Sequence, residues 1–594
     1  MKQQGVKKPD TLDFALPMQN KIDEQYKVSY IQDVVDTEYL QAVYPMQLSC
    51  LDEGGYNQDP TDPADSRFVK VDIDKFKGHY ALDFTAISQG VSVPSAKTNK
   101  IDLSGQFDIN IWFTPDATQL HNGSDEPILW SFRNGATGLD IGITGTNGTD
   151  SSWRVFLRVG TGNFVLLTGS SELIMNSLTD QSTTRNMPCH IRVKRDSDNL
   201  LKAFVNGVED ISQSVTQNLQ PSSASMIFGN GSGNNSDYKG LIHEIKVYCG
   251  TTLSDTDADK VRITKPIVQY MKFNGSVVKI KNKQMAKTIF CQSNSYILTT
   301  SRMGTTYGGT IVTHALSTVS FKTIAQSAVT NSSPLNAFTV RNIDSFVAVQ
   351  EVFALAGTIY EIGSPIEFLS ILLSYSNCVM YITPRKNIII ETNVGHSTGY
   401  LKDTNSSNRF PFVFDQNSTV SPYNITTNEI NDTRVISQVI LVGRGNVTYQ
   451  NGIQYTPPDG IKRTLRRTVR QLDNTNDIGE LGYKILVERF NLGVPNTTLG
   501  FPKERYTVSS VVPIHHIRFN HIVTIKRKNG NNSNISVVPA LPNNDLNSNL
   551  TVSQVEWNYP SGLTVINVGE YSIDFYEDML SLSKSTDDLI DTNL

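Results

Sequence analysis

The chain has 594 residues, of which 38% are hydrophobic and 18% charged, and its net charge is −5. This length predicts about three to four domains, and the apolar content is too high for a disordered chain. The net charge excludes an overall basic field that would recruit nucleic acid. No apolar stretch reaches the ~20 residues of a membrane span, and the first residues lack the apolar core of a signal peptide. We therefore expect neither a membrane span nor a secretion signal.

The first part of the chain contains short apolar runs separated by polar turns, a pattern typical of β-strands. In chain order these runs are residues 81–84, 91–94, 101–103, 107–113, 138–143 and 153–158. Trp112 and Trp130 are expected in the core, because large aromatic side chains are mostly buried.

The most regular segment is the one from residue 190 to residue 210. Polar and apolar residues alternate over 190–194 and again over 201–205, which predicts two half-buried strands. Asp and Asn residues between them favour a turn, and Asn206-Gly207 favours a second, tight turn. In the second strand, Ala203 and Val205 are predicted to face the core.

Three further runs, 226–229, 238–248 and 253–255, follow this hairpin. The order and spacing of all these runs over residues 43–262 resemble the laminin-G-like, or concanavalin A-like, jelly roll. The hairpin that ends in Asn206-Gly207 resembles the signature hairpin of that family. The resemblance implies a β-sandwich that binds sugars or proteins and rarely does chemistry, although a fold alone does not fix a function.

Lectin sites combine an aromatic platform with Asp or Asn side chains, and they often hold Ca²⁺ through Asp and backbone oxygens. Trp153, Asp140 and Asp150 are therefore the candidate glycan-binding residues, and calcium is the one cofactor that the resemblance allows. In the alternative interpretation, Trp153 packs in the core and Asp150 belongs to a turn. The sequence leaves the metal undecided.

We expect no enzyme activity. A glucanase relative of the jelly roll would need two carboxylates facing one cleft, often as E-x-D-x-x-E on one strand. Residues 43–262 contain no such run, and Glu126 and Asp140 are separated, although carboxylates from distant strands could still meet. The chain also lacks a P-loop, a zinc-protease H-E-x-x-H and a G-x-S-x-G motif.

The five cysteines lie far apart and have no zinc-ligand spacing, which predicts buried, reduced side chains. They are Cys50, Cys189, Cys249, Cys291 and Cys378. A disulfide between Cys189 and Cys249 stays open, because both lie next to predicted strands and the sequence gives no distance between them.

Beyond residue 265 the pattern changes to closely spaced short strands, which indicates a small barrel or sandwich, and two helices are interspersed farther along the chain. The predicted strands are 277–280, 288–290, 296–298, 309–312, 318–321, 379–382, 388–391, 434–443, 506–512, 521–525, 553–559 and 563–569. The predicted helices begin at Pro365, with Ser364 as N-cap, and after Asp477.

Four segments of this second part resemble the tail-hub, or baseplate hub, proteins of tailed viruses. They are residues 364–391, 431–445, 477–493 and 553–571. The resemblance implies a homotrimeric ring at the tail tip of a virion, in which two barrels per chain continue the tail tube. It also implies other tail proteins as partners, and contact with DNA only as DNA passes through the lumen. A basic run, Lys462 to Arg470, could touch DNA there, but its alternation places charges on both faces of a strand.

The sequence therefore predicts a mainly β protein: a concanavalin A-like jelly-roll sandwich plus small β-barrel and α+β domains of tail-hub type. The predicted domains are an N-terminal segment 1–42, the jelly roll 43–262, a first hub barrel 263–340, α+β domains 341–430 and 431–515, second-barrel elements 516–576 and an acidic tail 577–594. The predicted function is a tail-tip hub protein whose lectin-like module attaches to a host-surface glycan or protein. A cell-surface adhesin without a viral role and a carbohydrate-active enzyme are the alternatives.

Overall fold

The structure is a computed structural model. It describes residues 2–3, 11–17, 26–31, 33, 35, 39–47, 49–54, 56–61, 63–64, 67–71, 80–84, 90–115, 126–135, 137–145, 153–160, 164–170, 188–229, 237–263, 270–282, 286–300, 325–326, 329, 337–341, 364–366, 369, 378–392, 412–415, 424–428, 438–443, 447–452, 464–469, 475, 478–479, 482, 490–492, 500–502, 505–510, 514, 517, 522–528, 534–536, 550–558 and 563–568.

The chain folds into two compact units, and one of them interrupts the other in sequence. The inserted unit is Ser29–Lys272, and the discontinuous unit combines Met1–Val28 with Phe273–Leu594. Within the discontinuous unit, the backbone N–H of Val277 donates to the carbonyl of Tyr26 at 2.9 Å. The chain therefore leaves and rejoins the discontinuous unit at neighbouring positions.

The strands up to the end of the inserted unit are short, with two to ten residues each. They are β1 Lys2–Gln3, β2 Thr11–Pro17, β3 Lys27–Ile31, β4 Leu40–Tyr44, β5 Phe68–Lys70, β6 Tyr80–Asp83, β7 Val91–Val93, β8 Phe107–Pro115, β9 Ile128–Asn134, β10 Thr137–Gly145, β11 Trp153–Gly160, β12 Phe164–Thr168, β13 Cys189–Arg195, β14 Leu200–Val205, β15 Val208–Ser214, β16 Met226–Phe228 and β17 Gly240–Cys249. A 3-10 helix, Ser95–Lys97, and helix α1, Asp255–Ile263, complete this part.

The remaining elements belong mainly to the discontinuous unit. They are β18 Met271–Asn282, β19 Ala286–Ser293, helix α2 Tyr296–Thr300, β20 Thr339–Arg341, β21 Cys378–Ile382, β22 Asn387–Thr392, β23 Phe412–Asp415, β24 Asn424–Asn428, β25 Gln438–Gly443, β26 Thr448–Gly452, β27 Thr464–Val469, β28 Phe490–Leu492, β29 Gly500–Pro502, β30 Arg505–Ser510, β31 Ile522–Lys528, β32 Asn534–Ser536, β33 Leu550–Trp557 and β34 Thr564–Val568.

The inserted unit is a sandwich of two antiparallel sheets. The six-stranded sheet has the order β12-β11-β10-β9-β16-β7, and the eight-stranded sheet has the order β15-β14-β13-β8-β17-β6-β5, with β4 paired to β17. Tyr44 of the larger sheet and Phe228 of the smaller one meet with ring centroids 4.8 Å apart. Alternate apolar residues of each strand face this shared core, as the period of two along a strand requires.

The hairpin predicted from sequence is confirmed as β13 and β14, with Ile191 opposite Val205. Ala203 is fully buried and Val205 is 6% exposed, so both face the core as predicted. Asn206 and Gly207 have φ of 50° and 91°, the left-handed backbone that a two-residue hairpin turn needs. At the other end, the side chain of Asp196 accepts the N–H groups of Asp198 and Leu200 at 3.0 and 2.9 Å.

The prediction of a half-buried strand is confirmed for β14, whose residues alternate in burial, but it is wrong for β13. Segments distant in sequence cover the outer face of the sheet at β13. Asp108, fully buried, accepts hydrogen bonds from Arg192 at 2.8 and 3.0 Å and from the backbone N–H of Leu253 at 3.1 Å. Arg192 also donates to the carbonyl of Leu253 at 2.7 Å and forms an ion pair with Asp255 at 3.4 Å. The polar side chains of this face are therefore buried in paired form.

A second buried network occupies the same face beside β4. Lys246 forms an ion pair with Asp33 at 3.0 Å, and the hydroxyl of Tyr248 donates to the same carboxylate at 2.8 Å. The hydroxyl of Tyr270 donates to Glu244, and the Lys246 ammonium lies 4.7 Å from the centre of the Tyr270 ring. Residues before β4 and after α1 thus extend the folded unit beyond the predicted 43–262.

The discontinuous unit contains a sheet in which N-terminal strands pair with C-terminal ones. Its order includes β24-β30-β34-β33-β1-β2-β19-β18, with Lys2 opposite Glu556 and Phe14 opposite Ile289. The predicted 1–42 segment therefore supplies strands to this sheet. The predicted hairpins β21–β22 and β33–β34 are both present and antiparallel.

One further expectation from the sequence is wrong. Residues 296–298, predicted as a strand, begin helix α2, in which the N–H groups of Ile297 and Leu298 bond back to carbonyls three residues earlier. The sequence left a disulfide between Cys189 and Cys249 undecided. It does not form, because Cys189 and Cys249 pair with Phe113 and Phe107, at opposite ends of β8.

Four cysteines in the described segments, Cys50, Cys189, Cys249 and Cys291, are buried and reduced, as predicted. The predicted strands 309–312 and 318–321 and the acidic tail lie outside the described residues, as do most residues of both predicted helices.

Candidate functional site

The sequence-predicted residue Asp140 lies in the middle of the six-stranded sheet, on the face opposite the core. Its neighbours Leu139 and Ile141 point into the core and are fully buried. Across the strands, Asp140 is directly opposite Ser131 of β9 and Arg158 of β11. Side chains in such a row share one face, so these three polar residues meet.

Asp140 is itself fully buried and holds its neighbours by hydrogen bonds and ion pairs. The Ser131 hydroxyl donates to its carboxylate at 2.6 Å, and the guanidinium groups of Arg158 and Arg133 lie at 3.2 and 3.3 Å. Burial raises the pKa of the Asp140 carboxyl, an effect that the Ser131 hydrogen bond and the Arg133 charge oppose. The carboxylate therefore depends on these partners to stay ionised.

Arg158 also forms an ion pair with Glu126, which precedes β9. Its guanidinium lies 5.8 Å from the centre of the Phe156 ring, two residues earlier on the same strand face. Glu126 and Asp140, separated in sequence, thus meet at one arginine. We call Glu126, Ser131, Arg133, Asp140 and Arg158 the arginine–carboxylate cluster.

The cluster is only partly open to solvent. The side chains of Arg133 and Arg158 are 15% and 19% exposed, and that of Glu126 is 26% exposed, whereas Asp140 is closed off. Any ligand on this face would therefore meet the arginines and Glu126 first. Asp140 itself holds the guanidinium groups of Arg133 and Arg158 in place.

Among the three predicted site residues, Asp140 is the one whose side chain the structure describes, and it lies in this cluster. Trp153 is the first residue of β11 and pairs with Gly145 at the end of β10, but its side chain is not among the described groups. Asp150 lies outside the described residues. The glycan-binding roles of Trp153, Asp140 and Asp150 stay predictions.

The sequence analysis missed Arg133 and Arg158. A signal for Arg158 was present, because Arg154, Phe156 and Arg158 alternate with the core residues Val155 and Leu157. That alternation places the two arginines and the phenylalanine on the same outer face. Arg133 could not be found in this way, since β9 was not predicted as a strand.

Gly142 makes room for Phe156 beside the cluster. A Cβ atom at Gly142 would lie 2.5 Å from the Phe156 ring and 2.4 Å from the carbonyl oxygen of Pro127. Phe156 is fully buried even though it lies on the outer face. The glycine thus leaves room for the Phe156 ring, which lies next to the Arg158 guanidinium.

Among the residues that the structure describes, no group of three or more His, Cys, Asp or Glu side chains is placed to hold a metal ion. Within the same segments, no helix has the length and hydropathy of a membrane span.

Residues 85–257 match the family model of the concanavalin A-like lectin/glucanases superfamily. These residues form a concanavalin A-like lectin domain. The inserted unit that contains them, Ser29–Lys272, is the lectin-like domain of this chain. No curated protein matches the chain.

Several solved structures are similar to part of the chain. Domain 4 of AbnA, an extracellular GH43 arabinanase from Geobacillus stearothermophilus solved with arabinotriose, is 17% identical with a TM-score of 0.26, and the match covers 38% of this chain and 98% of that one. The binding domain of Paraclostridial Mosquitocidal Protein 1 is 16% identical with a TM-score of 0.29, covering 38% and 52%. The receptor binding domain of botulinum neurotoxin D is 11% identical with a TM-score of 0.30, also covering 38% and 52%.

The chain therefore spans about half the length of the toxin binding domains that it matches. At these identities and TM-scores, the matches identify no ligand or partner for this chain.

Proposed function

We propose that this chain is a structural virion protein, the tail-tip or baseplate hub of a tailed virus, and that its lectin-like domain attaches to a glycan on the host surface. Binding and assembly, with no chemical reaction, would be its two activities. The lectin-like domain would do the binding and the discontinuous unit the assembly.

The observation that carries the proposal is the insertion of a complete lectin-like domain between Val28 and Phe273 of the other unit. The chain departs and returns at neighbouring positions, since Tyr26 and Val277 are hydrogen-bonded. Insertions of this kind are tolerated when the ends of the inserted domain lie close together. A binding module can therefore be carried on this unit, with the two ends of the insertion held close together.

The arginine–carboxylate cluster supports binding rather than hydrolysis. A glycosidase needs two carboxylates that flank an open space for the scissile bond. Here the Arg158 guanidinium is paired with both Glu126 and Asp140, and Asp140 has no exposed surface. Partly exposed arginines can instead donate hydrogen bonds to hydroxyl or carboxylate oxygens of a bound sugar.

The hub assignment rests on the four resembling segments of the discontinuous unit. Two of them include hairpins with the predicted strands, β21–β22 and β33–β34. The basic run includes β27, whose Arg466 is exposed and whose Arg467 is half-buried on the opposite face. This arrangement favours a structural role for the run over a continuous track for DNA.

The decisive experiment compares the full chain with a variant in which a short Gly-Ser linker replaces residues 29–272. We expect both proteins to form a trimer by mass photometry, alone or with tail-tube protein, and only the full chain to bind host-cell envelopes and arrayed glycans. A monomer with tail-tube protein present would favour the adhesin alternative. Equal envelope binding by both proteins would contradict the attachment role, and release of reducing sugar would contradict the non-enzymatic role.

A further inference from the structure

A loop after β4 is built around one buried carboxylate. Asp52, fully buried, accepts the backbone N–H groups of Val43 at 3.0 Å, Gly54 at 2.7 Å and Gln58 at 3.1 Å. Its own N–H donates to the carboxylate of Asp59 at 3.0 Å. The two ends of the segment 52–59 are thereby tied together and to β4.

Gln58 anchors the same loop from its other end. Its side-chain amide donates to the carbonyl of Gln41 at 2.7 Å, and its own carbonyl accepts the hydroxyl of Tyr44 at 2.9 Å. Asn57 adopts φ of 55°, a left-handed conformation that Asn tolerates better than most residues. Buried hydrogen bonds of Asp52 and Gln58 thus anchor both ends of the loop.

Tyr56 lies at the tip of this anchored turn and is 43% exposed. The ammonium group of Lys100, an exposed residue that follows the 3-10 helix, lies 5.6 Å from the centre of the Tyr56 ring. Exposing a large aromatic ring forfeits the free energy of its burial. The turn nevertheless presents the ring beside a cation at a fixed position.

We infer that Tyr56 and Lys100 form a carbohydrate-contact site that takes a pyranose unit of a surface polysaccharide. The inference rests on the proposed function, which it deepens by placing a site outside the arginine–carboxylate cluster. The exposed part of the Tyr56 ring stacks on the C–H face of the sugar, and the Lys100 ammonium donates to its hydroxyl or carboxylate oxygens.

The loop suits such a ligand because ordering the loop on binding costs little conformational entropy. The hydrogen bonds of Asp52 and Gln58 fix the backbone before binding, so little conformational entropy is lost when the sugar docks. A single stacked sugar binds weakly, and repetition of the site around an oligomer raises the avidity by ~10²–10⁴ where the spacing allows simultaneous contact.

The test uses the full-length chain and an array of polysaccharides and host-envelope glycans. Four variants are compared: Tyr56→Ala, Lys100→Ala and two matched controls. Tyr39→Ala removes another exposed tyrosine, 39% exposed, and Lys97→Ala removes another exposed lysine, in the nearby 3-10 helix. Thermal unfolding of each variant shows whether the lectin-like domain stays folded.

We expect Tyr56→Ala to weaken binding of the recognised glycan about tenfold, the effect of losing one stacked ring. Lys100→Ala should weaken glycan binding several-fold, whereas Lys100→Arg should bind as the wild-type chain does because it keeps the positive charge. Both control variants should bind normally. If the wild-type chain binds a glycan and Tyr56→Ala binds it equally well, the site is wrong and the proposed function stands. If the wild-type chain binds no glycan at all, the proposed function fails with it.

Discussion

Replacing Asp108 by Asn should destabilise the lectin-like domain far more than its single charge change suggests. The Nε and Nη2 groups of Arg192 both donate hydrogen bonds to Asp108, and the Arg192 side chain is only 5% exposed. Asn keeps the volume but removes the negative charge, so the Arg192 guanidinium stays buried without its main counter-charge. Removing one partner of a buried ion pair typically costs about 3–5 kcal/mol.

Asp255 provides a matched control, because it pairs with the same arginine but its side chain is 85% exposed. Asp255→Asn should cost less than about 1 kcal/mol, as solvent screens that pair. The assay is urea unfolding followed by tryptophan fluorescence, since three of the four tryptophans lie in the lectin-like domain.

With a slope of about 3 kcal/mol per molar urea, the midpoint for Asp108→Asn should fall by about 1–1.7 M. Equal midpoints for Asp108→Asn and Asp255→Asn would refute the reasoning, because they would mean that burial adds nothing to the Asp108–Arg192 pair. Replacing both Asp108 and Arg192 by apolar residues of similar volume should recover much of the loss.

Three further changes test the sandwich. Val205→Asp should cost several kcal/mol in the same urea assay and more than Phe204→Asp, because Val205 faces the core and a buried charge there has no partner. His243, whose pKa burial lowers to about 3, should make stability fall by about 2 kcal/mol between pH 7 and pH 5, since only the unfolded chain takes up the proton below 6.5; His243→Gln should flatten that slope. Gly142→Ala should cost about 1–3 kcal/mol by forcing the Phe156 ring aside, and an unchanged unfolding midpoint would contradict that packing.

Local patterns predicted local structure well. The alternation in β13 and β14, the Asn206-Gly207 turn and the closing hairpin β33–β34 were all visible in the sequence, because each depends on residues that are close along the chain. The segment 296–298 was an exception. Its three residues suit a strand and a helix equally, and neighbouring residues decide between the two.

Pairing between residues far apart along the chain could not be predicted from the sequence. Asp33 covers the outer face of a strand more than two hundred residues later, where it meets Lys246, and no periodicity reports such a contact. The same applies to the candidate site, since Glu126 and Asp140 show no shared motif and become neighbours only through Arg158. Tyr56 gave no sequence signal either, because the loop that contains it is held by hydrogen bonds of Asp52 to Val43 and Gln58, which no local motif indicates.

The interrupted order of the two units has a consequence for synthesis on the ribosome. All strands of the lectin-like sandwich lie before residue 250, so it can fold while the rest of the chain is still being made. Strand β1 must wait for β33, which begins at Leu550 and is translated, at 5–20 residues per second, on the order of 15 to 60 s after Lys272. During that interval β2 can already pair with β19, but β1 lacks its partner β33. A nascent-chain chaperone that shields strand edges would protect this open edge from pairing with other chains.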